Sequence, residues 1–194
     1  MNYRIAKRSD LCKIANVHIV CFPHTFIASF GHRLIEKYYM EYLNEDNLFI
    51  VAEDGDEIQG FCMGYRTGSK ARERFMQKNK FFLVLRMAWL TLCFNKLVIS
   101  KCINFINPPK MLDEVRKPTA EGDLLSICVT DANKGKGVAK ELVTEFEKLL
   151  RSNGISDYTL SVYKTNNRAI SFYEKCGLTF YEDRNDEIKM YKKL

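Results

Sequence analysis

The segment from Leu124 to Gly154 constrains the fold of this chain more than any other stretch. Apolar and polar residues alternate over 125–130, which is typical of a half-buried strand. A turn with two glycines follows, and apolar residues then recur with helical spacing until Asn153 and Gly154 provide a C-terminal cap. The segment therefore predicts a strand, a tight turn and an amphipathic helix in direct succession.

The turn between this strand and helix is a predicted anion site. Successive backbone N–H groups at the start of a helix can point at one anion, and such a place suits a pyrophosphate. The turn is not a P-loop, because no Gly-Lys-Ser/Thr follows a four-residue spacer, and no third glycine completes a dinucleotide fingerprint. The candidate residues are Lys134, Gly135, Lys136, Gly137, Val138 and Ala139.

A second motif lies downstream, over residues 166–178. It reads Asn-Asn-Arg-Ala-Ile-Ser-Phe-Tyr-Glu-Lys-Cys-Gly-Leu. Together with the glycine turn it resembles the acetyl-CoA motifs of the GNAT superfamily of N-acetyltransferases. Lys134 stands where that family usually has Arg or Gln, and Leu178 replaces the usual Phe. The resemblance covers residues 1–66 and 118–194.

The resemblance implies an α/β (α+β) fold of the GNAT kind. Its mixed central sheet would have about six or seven strands, splayed at the central strand and flanked by helices. It also implies acetyl-CoA as the acetyl donor, without a metal. By the same resemblance, Val129 and Thr130 mark the splay, with the Val129 N–H facing the thioester carbonyl. Asn166 corresponds to the family's cofactor-contacting Asn, and Tyr173 to its cofactor-side general acid, which protonates the departing thiolate.

The general base has several candidates. Asp123 begins the central strand, where many relatives place a carboxylate that acts directly or through water. His24 is a second candidate because imidazole titrates near neutral pH, and Glu53 is a third. The linker over 24–31 would overhang the acceptor, so the resemblance implies substrate contacts for His24, Phe26 and Ser29; a plain surface loop is the alternative. His18 is expected to be a core residue.

The remaining elements follow from periodicity and turn residues. A strand is predicted from Tyr3 to Ala6, then a helix capped by Ser9, a second helix ending near Leu43, and strands over 47–53 and 58–66. After Gly154 come a strand over 155–164, a short helix capped by Asn167 and a hairpin over 178–191.

Residues 69–109 form an insertion, predicted to contain two or three helices, because a structureless loop of this length is improbable. Positive charge is concentrated over 70–117, with eleven basic residues against three acids. Three interpretations stay open: a lid for an anionic acceptor, a patch that contacts an anionic membrane or a partner, or an enlarged core that covers a dimer interface.

Composition limits the class of protein. A chain of 194 residues with 46% apolar content can bury one core, so a single domain over 1–194 is expected. There is no apolar stretch of about eighteen residues and no apolar signal region, so a cytoplasmic protein is expected. The seven scattered cysteines lack metal-ligand spacing, and a net charge of +6 gives no reason to expect a nucleic-acid partner.

The predicted reaction is transfer of an acetyl group from acetyl-CoA to a primary amine, by direct attack in a ternary complex. Features over 21–39 and the basic insertion resemble GNAT members associated with bacterial surface-polysaccharide synthesis, which favours a nucleotide-linked amino sugar as the small acceptor. A protein N-terminus or lysine is the alternative acceptor. A non-catalytic module that binds CoA or a membrane surface is the alternative class, and the chain is expected to be a monomer or homodimer.

Overall fold

The computed structural model describes residues 1–23, 25, 27–92 and 120–194. Strands in these ranges are β1 Asn2–Ile5, β2 Phe49–Asp54, β3 Glu57–Arg66, β4 Gly122–Val129, β5 Asp157–Tyr163, β6 Thr179–Arg184 and β7 Glu187–Lys193. The α-helices are α1 Leu11–Cys21, α2 His32–Leu43, α3 Ala71–Leu92, α4 Val138–Ser152 and α5 Asn167–Lys175. Short 3-10 turns occupy Arg8–Asp10, Ala28–Phe30 and Asp131–Asn133.

The described strands form one mixed sheet in the order β1-β2-β3-β4-β5-β7-β6. Neighbouring strands are antiparallel except β4 and β5, which are parallel. This arrangement confirms the predicted fold class and the predicted number of strands.

The sheet opens between its two central strands. Pairing of β4 with β5 is limited to Gly122 with Tyr158 and Asp123 with Thr159, although both strands continue beyond those residues. The splay therefore begins after Asp123 and not at Val129 and Thr130, where the motif placed it. A register shift opposite Met63 and Gly64 leaves one extra residue in β4, and such a bulge bends the strand away from its neighbour.

Helices cover both faces of the sheet. On one face the stripe of α4 formed by Leu142, Phe146 and Leu150 is fully buried against the sheet, as the helical spacing predicts. On the other face α1 and α2 bury Ile14 and Ile35. The two cores hold β4 rigidly from both sides, which fixes the positions of the residues along its open edge.

The start of α1 differs from its prediction. Ser9 lies in the 3-10 turn and makes no capping bond; the Asp10 carboxylate instead accepts the Lys7 N–H at 2.7 Å. Arg4 bridges Asp10 at 2.7 Å and Glu53 at 2.6 Å. This guanidinium lowers the pKa of Glu53, so that carboxylate stays ionised in a structural ion pair. Glu53 is therefore a poor candidate for the base.

His18 is the buried core residue that the sequence predicted. Its Nδ1 atom lies 2.6 Å from the Tyr39 hydroxyl, and only 4% of the residue is exposed. Burial lowers the pKa of His18 to about 4, so the ring is neutral at physiological pH.

The predicted insertion is described in part. Helix α3 covers 71–92, which confirms its first helical portion, and residues 93–109 lie outside the described part of the chain. The inner side of α3 packs Phe75 and Leu83 on Phe30 and Leu34. Of the helices in the described ranges, none combines the length and apolar character needed to cross a bilayer.

Candidate active site

A cleft of about 610 Å³ lies where β4 and β5 separate. Its walls come from the end of β4, the glycine turn, the start of α4, helix α5 and the last residues of α1. Seven of the predicted cofactor residues line it: Val129, Lys134, Gly135, Gly137, Val138, Ala139 and Asn166; Tyr173 lines it as well. Thr130 and Lys136 do not.

The turn has the backbone conformation that an anion site needs. Gly135 and Gly137 have φ values of 80° and 82°, in the left-handed region that favours glycine. Gly137 is the N-cap of α4 and brings no side chain over the helix end. The N–H groups of Gly137, Val138 and Ala139 have no acceptor among the described residues, so all three can donate to one anion.

Four basic side chains surround the cleft: Lys134, Lys140, Arg168 and Lys175. Lys134 also forms an ion pair with Asp131, and this contact lowers the pKa of the Asp131 carboxyl. The sequence prediction missed Lys140, Arg168 and Lys175, although Arg168 stands two residues after Asn166 in the second motif. The cleft is therefore suited to a ligand with several phosphate charges.

The open edge of β4 presents backbone groups to the cleft. Thr130 donates its N–H to the Gln59 carbonyl on β3 at 2.8 Å, and its hydroxyl donates to the Gln59 side chain at 3.0 Å. Because peptide groups alternate along a strand, those of Ile127 and Val129 point away from β3. This direction supports the predicted role of the Val129 N–H and removes Thr130 from the candidate donors.

Tyr173 lies on α5 with 9% of its surface exposed, at the wall of the cleft. Its hydroxyl has no hydrogen-bond partner within the described part of the chain. Burial raises the pKa of Tyr173, so the phenol keeps its proton. An unpartnered, protonated phenol at this position has the properties of a proton donor.

Asn166 has two roles in the structure. Its side-chain oxygen accepts the Ala169 N–H at 3.1 Å, so Asn166, and not the predicted Asn167, caps α5. The same residue lines the cleft. The amide nitrogen of Asn166 has no partner among the described residues and is available to a ligand.

Asp123 lies where the splay begins and does not line the cleft. Its carboxylate accepts the Thr159 hydroxyl at 3.0 Å, and the Lys189 ammonium lies 3.9 Å away. Burial raises the pKa of Asp123 to about 6, against the smaller opposing effects of these two partners. Ile127 lies four residue steps along the strand from Asp123, a span of about 13 Å.

Of the three linker residues predicted to contact the substrate, the structure describes one. His24 and Phe26 lie outside the described residues. Ser29 does not line the cleft, and its carbonyl accepts the Arg86 guanidinium at 3.4 Å. Cys21 and Phe22, at the end of α1, line the cleft instead. Their position depends on the contact of α1 with β4, which no local motif encodes.

The thiol of Cys21 touches the reacting end of β4. It donates to the Val129 carbonyl at 3.5 Å, and a hydrogen bond with Cys128 lowers its pKa. Cys128 itself is buried, as expected of a packing residue.

A group of potential metal ligands lies elsewhere on the described surface. Cys12, His32 and Glu36 place one ligand atom each within 4.8 Å of one another. The His32 Nδ1 atom is 2.6 Å from Glu36, and its Nε2 is 3.0 Å from the Cys12 carbonyl. Both ring nitrogens therefore already have protein partners.

The model of the acetyltransferase (GNAT) family matches residues 13–178. This chain belongs to the GNAT family. Membership confirms the assignment that the two motifs suggested, and it identifies the chain with acetyl-CoA-dependent acetyltransferases.

Several relatives of this GNAT chain are known. The N-alpha-acetyltransferase MAK3 of Arabidopsis thaliana is 32% identical over 89 residues, which are 46% of this chain and 45% of that protein. The match thus spans less than half of that curated relative. PaiA N-acetyltransferase of Thermoplasma acidophilum, solved with coenzyme A, is 17% identical with a TM-score of 0.57, covering 100% of this chain and 98% of its own.

Naa20 of Chaetomium thermophilum, solved with a bisubstrate analogue, is 18% identical with a TM-score of 0.58, covering 100% of this chain and 87% of its own. At these identities the two solved structures establish the GNAT fold and nothing finer.

Proposed function

We propose that this protein transfers an acetyl group from acetyl-CoA to the primary amine of a small acceptor by direct attack. The observation that carries the proposal is the shared cleft: the unpartnered Tyr173 phenol and the three free N–H groups at the start of α4 face the same space. One end of the cleft can hold a phosphate group and the other can supply a proton. Acetyl transfer from the thioester of acetyl-CoA needs both.

The donor is held by the turn and the strand edge. The N–H groups of 137–139 bind the pyrophosphate, assisted by Lys134 and Arg168. The open peptide groups of Ile127 and Val129 pair with the amides of the pantetheine arm, and the Val129 N–H polarises the thioester carbonyl.

Proton transfer is divided between two residues. Asp123, with its pKa near 6, accepts the proton that the attacking ammonium loses. Because about 13 Å of strand separates it from Ile127, the proton travels through water. Tyr173 donates a proton to the sulfur as the carbon–sulfur bond breaks. The second proton that the nitrogen loses on forming the amide returns to Tyr173 through water, so that the products are an acetamide and free CoA.

The preferred acceptor is a nucleotide-linked amino sugar. The resemblance places the 24–31 linker over the acceptor, and the Arg86 guanidinium of α3 donates to the Ser29 carbonyl of that linker, so its positive charge lies on this side. This charge favours an acceptor with phosphate groups over a basic peptide. A protein N-terminus is the second candidate, favoured by the similarity to MAK3 and Naa20.

Release of CoA thiol distinguishes these possibilities. The enzyme is assayed with nucleotide-linked amino sugars, the corresponding free amino sugars and peptides that have free N-termini. A nucleotide sugar should give the highest kcat/KM. If a peptide gives it, the second candidate is correct. Tight CoA binding without turnover on any amine would instead support a non-catalytic module.

The role of Tyr173 is tested in the same assay. Tyr173→Phe should lower kcat by roughly 10²-fold or more while CoA affinity measured by calorimetry stays unchanged. Tyr163→Phe, which alters an exposed tyrosine on β5, is the matched control and should retain activity. Equal activity of the two variants would contradict the assignment of Tyr173 as general acid.

A further inference from the structure

The outward side of α3 exposes an apolar stripe. Phe81, Val84 and Leu85 are 78%, 58% and 54% exposed, and with Ala88 they follow the i, i+3, i+4, i+7 spacing of one helix face. Phe82 and Trp89, at 53% and 60%, flank this stripe. These six residues are called the α3 outer face below.

The opposite side of the helix is already occupied. Phe75 and Leu83 define the inner side of α3, since both are buried against Phe30 and Leu34. Single exposed apolar residues are ordinary, but six within nine positions of one helix are not. The α3 outer face therefore has no partner in the described part of the protein, whereas the inner side of α3 is packed against the core.

Positive charge accompanies this face. Lys70, Arg72 and Lys80 are exposed and make no ion pair with any described residue. Arg74 pairs with Glu45 at 2.6 Å and with Glu41 at 3.3 Å, and Lys78 pairs with Glu41 at 2.8 Å. These cations lie within the three helical turns that precede the apolar stripe, where Glu73 is the one acid, so this end of α3 keeps a net positive charge.

We propose that the α3 outer face binds the surface of an anionic phospholipid bilayer, with the helix lying in the plane of the interface. Phe81, Val84 and Leu85 enter the boundary between headgroups and acyl chains, and Trp89 lies at the headgroup level. Lys70 and Lys80 contact lipid phosphates. The helix does not span the bilayer, in agreement with the absence of any spanning helix among those described.

The charge argues against a second copy of the chain on this face. A twofold dimer would place the same patch on both subunits, so a second copy would bring the same basic residues and no matching acidic patch. Like charges brought together in an interface oppose association. An anionic surface satisfies both the apolar and the basic residues at once.

The single tryptophan of the chain reports directly on this proposal, because Trp89 belongs to the α3 outer face. Trp emission is measured while large vesicles are added, composed either of phosphatidylcholine alone or of phosphatidylcholine with phosphatidylglycerol. The emission should shift to the blue with the anionic vesicles only. High salt should weaken the binding, since surface charge is screened.

Two substitutions test the two components. Phe81→Ser should weaken binding to anionic vesicles roughly tenfold or more, by loss of apolar burial. Lys80→Gln should weaken it about fivefold, by loss of one charge near the surface. The matched controls are Phe180→Ser, at an exposed phenylalanine of β6, and Lys193→Gln, at an exposed lysine of β7. Unchanged CoA affinity verifies that each variant is folded.

Several results would overturn the proposal. Emission that is already blue-shifted and shielded from acrylamide in the absence of vesicles would mean that the chain itself covers Trp89. Emission that depends on protein concentration, with a dimer in sedimentation, would assign the face to a second copy. Equal binding to both vesicle types would show that lipid charge plays no part in binding. Controls that lose as much binding as the test variants would show that the α3 outer face is not the binding surface.

Discussion

The half-buried carboxylate of Asp123 gives this protein an unusual expected response to substitution. Burial raises the pKa of Asp123 from 3.8 to about 6. The native state therefore holds this proton more tightly than the unfolded state, so the contribution of Asp123 to stability is greatest below pH 4 and is lost as the pH rises through 6. A change of about two units corresponds to roughly 3 kcal/mol of lost stability at pH 8.

Asp123→Asn should therefore stabilise the protein at neutral and alkaline pH. The amide oxygen can still accept the Thr159 hydroxyl, and no charge remains to be buried. We expect the variant to exceed the wild type by up to about 3 kcal/mol in free energy of unfolding at pH 8, and to match it at pH 4. Equilibrium urea unfolding at pH 4, 6 and 8 measures this difference. Asp186→Asn, at an exposed turn carboxylate, is the control.

The same variant should lose activity. A base with a pKa near 6 makes kcat/KM of the wild type rise about tenfold per pH unit below 6 and level off above it. Asp123→Asn should show no such rise and be roughly 10²- to 10⁴-fold slower. A variant that is no more stable than the wild type at pH 8 would refute the burial argument. A stabilised variant with the wild-type pH profile would show that Asp123 is not the base.

Two further substitutions test the turn and the buried ion pair. Gly137→Ala places a side chain at φ 82°, which costs about 1–2 kcal/mol, and should weaken CoA binding roughly tenfold in calorimetry. Gly55→Ala, with a φ of 60° in the β2–β3 hairpin, carries similar strain and should leave CoA affinity unchanged. Lys192→Met leaves Glu147 without its cation and should destabilise the fold by about 3 kcal/mol in urea unfolding. Adding Glu147→Gln should recover part of that loss; a double variant less stable than Lys192→Met would contradict the explanation.

Local patterns predicted the parts of the fold that depend on neighbours in sequence. The alternation over 125–130 and the helical spacing after Val138 identified β4 and α4, since each pattern reflects burial of one face. Gly135 and Gly137 identified the turn because their positive φ values are costly for other residues. The motif over 166–178 identified the other wall of the cleft.

Contacts between distant segments were harder to predict. The splay begins after Asp123 because of a bulge whose register is set by β3, and strand alternation alone does not locate a bulge. Cys21 and Phe22 reach the cleft only through the packing of α1 on the sheet. The N-cap of α5 is Asn166 and not the predicted Asn167. Two adjacent asparagines are equally suited to capping by residue type, so the sequence alone did not distinguish them.

Two carboxylates of the sheet region, the buried Glu147 and the half-buried Asp123, differ in their partners. Glu147 is 7% exposed, and it accepts the Tyr158 hydroxyl at 2.8 Å and the Lys192 ammonium at 2.7 and 2.9 Å. Lys192 also donates to the Cys176 carbonyl at 2.6 Å, so this cluster ties α4 to the end of α5.

Asp123, by contrast, has a neutral hydroxyl as its direct partner, and its nearest ammonium is 3.9 Å away. The close cation holds Glu147 in an ion pair, whereas burial beside a hydroxyl raises the pKa of Asp123. The identity of their partners therefore separates the two acids. The acid with the weaker partners also lies where the pairing of β4 with β5 stops.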